Sequence, residues 1–477
     1  MSTPSGDKGE TTALENVAED AVLELESGIE EEIVLAIESS QLERVRDLVA
    51  HLHYADVADL LEHLDENGRD ALINAFQGVL DPDVFSELDE SVRDDLVDKL
   101  GVEYVASVVT ELDTDDAVQV IEELEIDEQK KVLDAIPAGE RTLIEEGLAY
   151  PEDSAGRLMQ RQVMTVPEFW NVGETIDFLR TLADDGGKTG DSGSLPELFY
   201  NIFVVDPAHK PVGSISLSRL LRSSRPVPVT AIMYSEMKLI NVEEDQEDVA
   251  YVFRQRDLVS TPVVDGSGRL VGVITVDDIV DVIDEEHEED IMHLGGVSED
   301  DLYEGVGSTT RSRFSWLLLN LLTAILASVI IGFFEATIEQ IVALAVLMPI
   351  VASMGGNAGT QTLTVTVRAL AMKDLTATNA LRVVGKEALV GCINGVLFAV
   401  LAGLVAWIWF DSQALGVVIA LAMVINMVVA GLAGTTIPLV LDRNGIDPAI
   451  ASSVFLTTVT DVVGFAAFLG LAAWLLL

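Results

Sequence analysis

Basic residues are scarce in this sequence: 28 lysines and arginines stand against 80 aspartates and glutamates, a formal net charge of -52 over 477 residues. Nucleic-acid phosphate would be repelled by such a surface, which excludes nucleic acid as a partner. Cysteine is all but absent. The one thiol, Cys392, falls in an apolar segment, and a single thiol excludes an intrachain disulfide. The N-terminus is rich in Ser, Glu and Asp and lacks the apolar core of a signal peptide, so the soluble domains are expected to remain cytoplasmic. No lysine or arginine lies deep in the apolar runs of the last third, which removes the usual salt-bridge partner of a carboxylate buried there.

What is present is segregated. A hydrophobic fraction of 49% cannot share one compact body with this charge. From Phe314 onward there are eight acidic and five basic residues, leaving 72 of the 80 carboxylates in the first 313 positions. One part is therefore an acidic soluble assembly and the other membrane. The acidic excess fits a halophile, in whose salty interior the Debye length shrinks to a few ångströms and dense carboxylates stop repelling one another. An acidic face that stores divalent cations is the alternative.

In chain order, residues 1–28 read as a disordered acidic tail. Residues 29–150 carry a repeat: Leu52, Leu64, Phe76, Leu88, Leu100, Leu112, Leu124 and Ile136 recur every twelve residues. Pairs such as Leu60–Leu61, Val108–Val109 and Val120–Ile121 precede them by four and three. Spacing of i, i+1, i+4 marks one helical face, and twelve residues hold about two turns and a connection, so an all-α solenoid N-domain is expected.

Residues 151–230 and 231–278 switch to strands and helices and repeat each other. Phe203-Val204-Val205-Asp206 and Val212-Gly213-Ser214-Ile215-Ser216 reappear as Pro262-Val263-Val264-Asp265 and Val271-Gly272-Val273-Ile274-Thr275. The lead-in pairs Leu158-Met159 and Ile232-Met233 are spaced further apart, which places an insertion in the first copy around Asp184-Asp185-Gly186-Gly187 to Gly193-Ser194. These α/β units resemble a tandem of CBS regulatory domains. By that resemblance Thr275 and Asp278 stand where the family contacts an adenosine ribose, while the first copy has Arg219 in place of the acidic residue. Adenine-nucleotide binding and a purely structural or metal-sensing tandem both remain open. Residues 279–310 follow as a connecting helix, Ile279 to Leu294, and a linker. The helix is crowded with Asp284, Glu285, Glu286, Glu288, Glu289 and Asp290, with His287 and His293 nearby. It is either a solvated acidic linker or a face that cations hold together.

Residues 311–477 offer five apolar runs, about 315–334, 338–366, 386–410, 414–441 and 451–477, each long enough to cross a bilayer core of about 30 Å. Arg311, Arg313, Arg368, Lys373, Arg382, Lys386 and Arg443 then fall on one side, and Glu335, Glu339 and Asp411 on the other. The positive side is inside, which puts the N-terminus in the cytoplasm and the C-terminus out. The second run contains Met348-Pro349-Ile350-Val351-Ala352-Ser353-Met354-Gly355-Gly356-Asn357-Ala358-Gly359-Thr360-Gln361, a costly composition for a lipid-facing helix. Irregular backbone lining a cavity is expected there, with Pro349, Gly355, Gly356, Gly359 and Gln361 as pore-lining positions. In the fifth run Asp461 places a carboxylate inside the bilayer, the mark of an ion or proton path unless it is protonated and hydrogen-bonded. One carboxylate per chain is meagre for a dication, so a homodimer with the pore on its axis is expected.

Pro349 with Gly355-Gly356-Asn357-Ala358-Gly359-Thr360-Gln361, Val367-Arg368-Ala369-Leu370-Ala371, Asp447-Pro448-Ala449, Thr457 to Asp461 with Gly464-Phe465, and in the soluble half Asp115-Asp116-Ala117 and Tyr150-Pro151-Glu152-Asp153-Ser154-Ala155-Gly156 together resemble the MgtE family of magnesium channels. Ser453-Val454 departs from the family's usual kink-forming pair in the fifth span. The resemblance implies a multidomain membrane protein with a helical N-domain, a CBS pair, a connecting helix and a five-span pore. It implies a site for hydrated Mg2+ made of Asp461, the Asn357 amide and carbonyls near Thr457, which suits an ion that keeps its water and takes few carboxylates. It implies cytosolic magnesium sensors at Asp116, Asp245, Glu247, Asp257, Asp278, Glu286, Glu289 and Asp290. The expected function is Mg2+ import across the cell membrane, closed by cytosolic Mg2+, with no enzyme activity and no catalytic residue. The alternatives are a proton- or sodium-coupled carrier of Co2+, Ni2+ or Mn2+, and a membrane-tethered adenine-nucleotide sensor.

Overall fold

A computed structural model of the chain describes residues 29–37, 39, 41–76, 80–124, 126–184, 199–297 and 306–477. The tail 1–28, nearly all of the glycine-rich insertion and the first part of the expected linker lie outside them. The chain divides into two compact units between Val280 and Asp281.

The first unit begins with short helices α1 (29–37), α2 (Leu42–Val49), α3 (Tyr54–His63), α4 (Glu66–Phe76), α5 (Glu90–Leu100), α6 (Val102–Glu111), α7 (Thr114–Glu122), α8 (Ile126–Ala135) and α9 (Ala138–Leu148). The twelve-residue position falls at helix ends: Phe76 and Leu100 close α4 and α5, and Leu64 and Leu112 cap α3 and α6. The apolar pairs one turn earlier, Leu60–Leu61, Val108–Val109 and Val120–Ile121, are fully buried in one continuous core. Each such side chain contributes roughly 1.5–3 kcal/mol, which fixes the face every short helix presents. Arg93, the largest buried side chain, bonds Glu123 and the Leu88 carbonyl, so its charge is answered inside the stack.

The α/β part follows. Helix α10 (Ala155–Leu158) leads to β1 (Thr165–Pro167), α11 (Val172–Asp184), β2 (Asn201–Val205), β3 (Pro211–Ser216) and α12 (Leu217–Arg222). The second copy runs α13 (Val229–Ile232), β4 (Ile240–Asn241), α14 (Gln246–Arg256), β5 (Ser260–Val264), β6 (Leu270–Thr275) and α15 (Val276–Gly295). Each copy makes a three-stranded sheet with its first strand parallel to the second and its second antiparallel to the third. The lead-ins are exchanged. Gln160 bridges to Val273 of the second sheet, and Tyr234 bridges to Ser214 of the first. Gly272 and Gly213 are needed for this, because a Cβ on Gly272 would meet Met159 Sδ at 2.5 Å and one on Gly213 would meet Met233 Sδ at 2.7 Å.

The second unit holds the rest of α15 from Asp281 onward, then α16 (Val306–Gly332), α17 (Glu335–Gln340), α18 (Ala343–Ala371), α19 (Ala380–Phe410), α20 (Gln413–Arg443) and α21 (Pro448–Leu476). Five of these helices are long and apolar enough to cross a membrane. Three expectations are corrected. The run expected over 338–366 is broken at Ile341, whose non-helical backbone ends α17, so Glu335 and Glu339 sit on a separate short helix. The first long helix starts at Val306, inside the stretch read as linker. Third, the glycine motif is not irregular: α18 runs unbroken through Pro349 to Ala371. The glycines serve packing instead. A Cβ on Gly359 would lie 2.8 Å from Leu456 Cδ1 of α21, and one on Gly434 of α20 would lie 2.7 Å from the Gly359 carbonyl oxygen. α21 is likewise one helix across Ser453–Val454, started by Asp447 and Pro448.

The exchanged lead-ins generate a stability test. Gly272→Ala should lower the melting temperature of the purified chain, since overpacking against Met159 and the Gln160 carbonyl costs about 1–3 kcal/mol. Gly266→Ala, with open space around its Cβ position, should leave it within a degree or two; equal effects would contradict the exchange.

Candidate functional site

Three constellations stand out, each inside one unit. The first is an acidic cluster on the first turn of α7. Asp115 is buried, and its Oδ1 has no hydrogen-bond donor among the described residues. Burial, and after it the charge of Asp278, holds Asp115 well above the usual carboxylate range and pushes Asp116 up to about 7. Asp113 adds to the field at both, and Asp83 and Glu87 add to it at Asp116. So many carboxylates with so little water either hold protons or hold a cation. Asp278 is also engaged locally: its Oδ2 accepts from the Thr275 backbone N–H at 3.2 Å and from Thr275 Oγ1 at 2.8 Å, capping α15. The two residues aligned with a ribose-binding pair thus bond each other, and Asp278 faces the α7 aspartates.

Asp245, Glu247 and Asp257 are distributed along α14 rather than gathered. Asp245 is its N-cap, accepting from the Glu247 N–H at 2.9 Å, whereas Asp257 ends the helix in the left-handed region at φ 51°. Asp153 is the carboxylate that does meet Asp245: burial first and the Asp245 charge second raise its pKa.

The second constellation joins α15 to the start of α21. The ligand atoms of Glu289, His293 and Asp447 all lie within 4.8 Å of one another. His293 Nδ1 is 3.2 Å from Asp447 Oδ2 and 3.4 Å from Glu289 Oε1. Asp290 belongs to the same neighbourhood, its pKa raised by burial and then by Asp447. Glu286 lies one turn earlier on the helix. Asp447 has two duties, because its Oδ1 accepts from the Ala449 N–H at 2.8 Å and so caps α21. Two carboxylates and an imidazole can take a divalent cation, and either Asp447 or Glu289 can exchange His293 for it.

The third constellation is the α18–α21 pair. Pro349, Ser353, Asn357 and Gln361 recur every fourth residue on a strip of α18 that the chain leaves exposed, whereas Gly355 and Gly359 are buried on its packing side. Gly356 is half-buried with open space at its Cβ position. On α21, Thr457 is exposed and Asp461 half-buried one turn on, the same face by helical spacing. The Thr457 hydroxyl bonds back to the Ser453 and Val454 carbonyls, and Thr458 and Thr460 also bond within the helix, so these polar side chains need no outside partner.

Sequence reasoning did not single out Asp115, Asp153, His293, Asp447 or Asn426 as site residues. His293 and Asp447 are distant in sequence, and only the fold reveals the pairing. Asn426 did carry a signal, an amide in an otherwise apolar run. It is fully buried and donates from Nδ2 to the Val351 carbonyl of α18 at 2.8 Å.

Comparison with known proteins agrees with the architecture of helical N-domain, α/β part and membrane helices. A model of divalent cation transporters, MgtE, matches residues 348–471. The MgtE intracellular N domain matches 52–153, and a CBS domain matches 229–285. The magnesium transporter MgtE of Enterococcus faecalis is 33% identical over 450 residues, covering 93% of this chain and 97% of that protein. That of Bacillus subtilis is 28% identical over 441 residues, covering 92% and 96%, and that of Thermus thermophilus 35% identical over 347 residues, covering 72% and 74%. Among solved structures, the soluble part of a magnesium transporter is 27% identical, with a TM-score of 0.45 over 55% of this chain and 99% of that one. The chain therefore belongs to the MgtE family of magnesium transporters.

Proposed function

We propose that this protein is a magnesium-selective channel that imports Mg2+ across the cell membrane as a homodimer and is closed by cytosolic Mg2+. The observation that carries the reading is that α21 bears both Asp461 and Asp447, about 21 Å apart at 1.5 Å per residue. A cation bound at Glu289, His293 and Asp447 would therefore act directly on the helix that carries the intramembrane carboxylate. The exposed strips of α18 and α21 supply Asn357, Gln361, Thr457 and Asp461 to a path that one chain leaves half built, and a second copy would bring the second Asp461 a dication needs. Such a site holds Mg2+ through its hydration shell. The positions of the basic residues Arg368, Lys373, Arg382, Lys386 and Arg443 support an orientation with the helix ends that carry them in the cytoplasm, the N-terminus inside and the C-terminus outside.

The sensor works by differential affinity. Without cations the clusters around Asp115–Asp116–Asp278 and Glu289–Asp290–Asp447 repel and loosen; with Mg2+ bound, the compact arrangement is favoured, and only a ligand that prefers one state shifts the balance. Asp245, Glu247, Asp257 and Glu286 add acidic surface to the same sensor. At Asp278 the facing aspartates and the bond to Thr275 favour a cation over an adenine nucleotide. A sensor whose long helices served only as an anchor would leave the uncovered polar strips without a use.

In liposomes, Asp461→Asn should reduce Mg2+ uptake at least about tenfold while the dimer stays intact; uptake at the wild-type rate would refute the pore assignment. Proton or sodium movement coupled to uptake would replace the channel with a carrier.

Asp447→Asn keeps a capping side chain but loses the charge. It, and Glu289→Gln, should raise the internal Mg2+ concentration that halves flux, by about tenfold, without changing the flux at zero internal Mg2+. Inhibition at the unchanged concentration would remove this cluster from the sensor.

The α7 cluster gives a pH test. A carboxyl whose pKa rises on folding makes the metal-free protein lose stability as pH climbs from the ordinary carboxylate range through about 7. Mg2+ binds the ionised form and offsets that loss. Its stabilising effect on the melting temperature should be several degrees larger at pH 8 than at pH 6, at about 2–4 °C per kcal/mol for a unit of this size. The effect should shrink in Asp115→Asn/Asp116→Asn; an equal Mg2+ shift at both pH values would contradict it.

A further inference from the structure

We infer that Asn426 is a positioning residue that keys the two ion-path helices to each other. It projects from α20 into the space between α18 and α21 and is fully buried. Its Nδ2 donates to the Val351 carbonyl of α18 at 2.8 Å, and its Oδ1 is buried with no hydrogen-bond donor among the described residues. Glycines flank it on both sides. A methyl group built on Gly355 of α18 would fall onto Nδ2, and one on Gly464 of α21 would lie 2.8 Å from the same atom. The amide therefore occupies the volume that two side chains would otherwise fill, at the level of the motif glycines of both helices.

The energetics argue against plain packing. A buried amide with one oxygen unanswered among the described residues is destabilising, a penalty that an apolar side chain at this position would not carry. What the amide adds is direction. A hydrogen bond to one named carbonyl sets the height of α18 against α20, and the glycine contacts carry that setting to α21. Asn357 lies two residues beyond Gly355, and Asp461 three residues before Gly464. Asn426 thereby sets the relative height of these two ligands without facing the path itself.

The inference rests on the assignment of Asn357 and Asp461 to the ion path, and the two can fail separately. In full-length dimers reconstituted in liposomes, Asn426→Ala should lower Mg2+ uptake by about tenfold or more, as misplacement of ligands by an ångström can. It should also change the ratio of Mg2+ to Co2+ uptake, which a mere loss of stability would leave alone. Gly355→Ala should impair uptake when Asn426 is present and cost nothing further when combined with Asn426→Ala. Gly464→Ala, tested in the same way, covers the case in which a Gly355 variant does not fold. Wild-type rate and wild-type ion ratio in Asn426→Ala, or an additive cost in both double variants, would overturn the inference. If the path assignment alone is wrong, Asp461→Asn will conduct normally while the melting temperatures of the Gly355 and Asn426 variants still fail to add.

Discussion

Carboxylates held together with too little water are the constraint around which this protein is arranged. In bulk water the excess of acidic side chains would be a solvated surface and little more. At the start of α7 the fold buries Asp115 and crowds Asp116 beside Asp278, and at the end of α15 it brings Glu289 and Asp290 against Asp447. Charge that cannot be hydrated must be protonated, paired or metallated. At Asp447 the His293 imidazole lies close enough to bond the carboxylate directly. In the proposed sensor, a cation would answer the charge of both clusters.

The membrane helices solve a different problem with small residues and internal hydrogen bonds. Threonines 457, 458 and 460 return their hydroxyls to carbonyls of their own helix, which keeps a polar run tolerable within a membrane helix. Glycines on α18, α19, α20 and α21 let backbones approach until a Cβ would touch a neighbouring carbonyl or side chain. Rigid helix contact would matter for the proposed hydrated-ion site, where the ligands are few and their spacing would set the selectivity.

The helical repeat was legible because the short helices turn the same three positions toward one core, and the period survives the replacement of Leu by Phe at Phe76 and by Ile at Ile136. The tandem α/β units were legible from the duplicated strand pairs. Their exchanged lead-ins were not, since nothing local in Met159 or Met233 says which sheet the side chain will meet. The reading of Gly355-Gly356-Asn357 went astray for a physical reason: glycine in a membrane segment signals either broken backbone or close helix approach, and composition cannot separate them. The partners at Asn426 and Leu456 decide for close approach. Asp447 entered the sequence reading only within the family-like Asp447-Pro448-Ala449, and its contact with His293 depends on a separation of 154 residues that no local pattern encodes.

The central claim is that cytosolic magnesium acts on the pore helix through its first turn. Hydrogen exchange of the full-length dimer in detergent, at zero and at saturating Mg2+, reads this directly. The account predicts that protection rises together at Glu289–Gly295 of α15 and at the N-terminal turn of α21 beginning at Asp447, at the same Mg2+ concentration that stops flux. Flux that stops while exchange at both segments stays unchanged would contradict it.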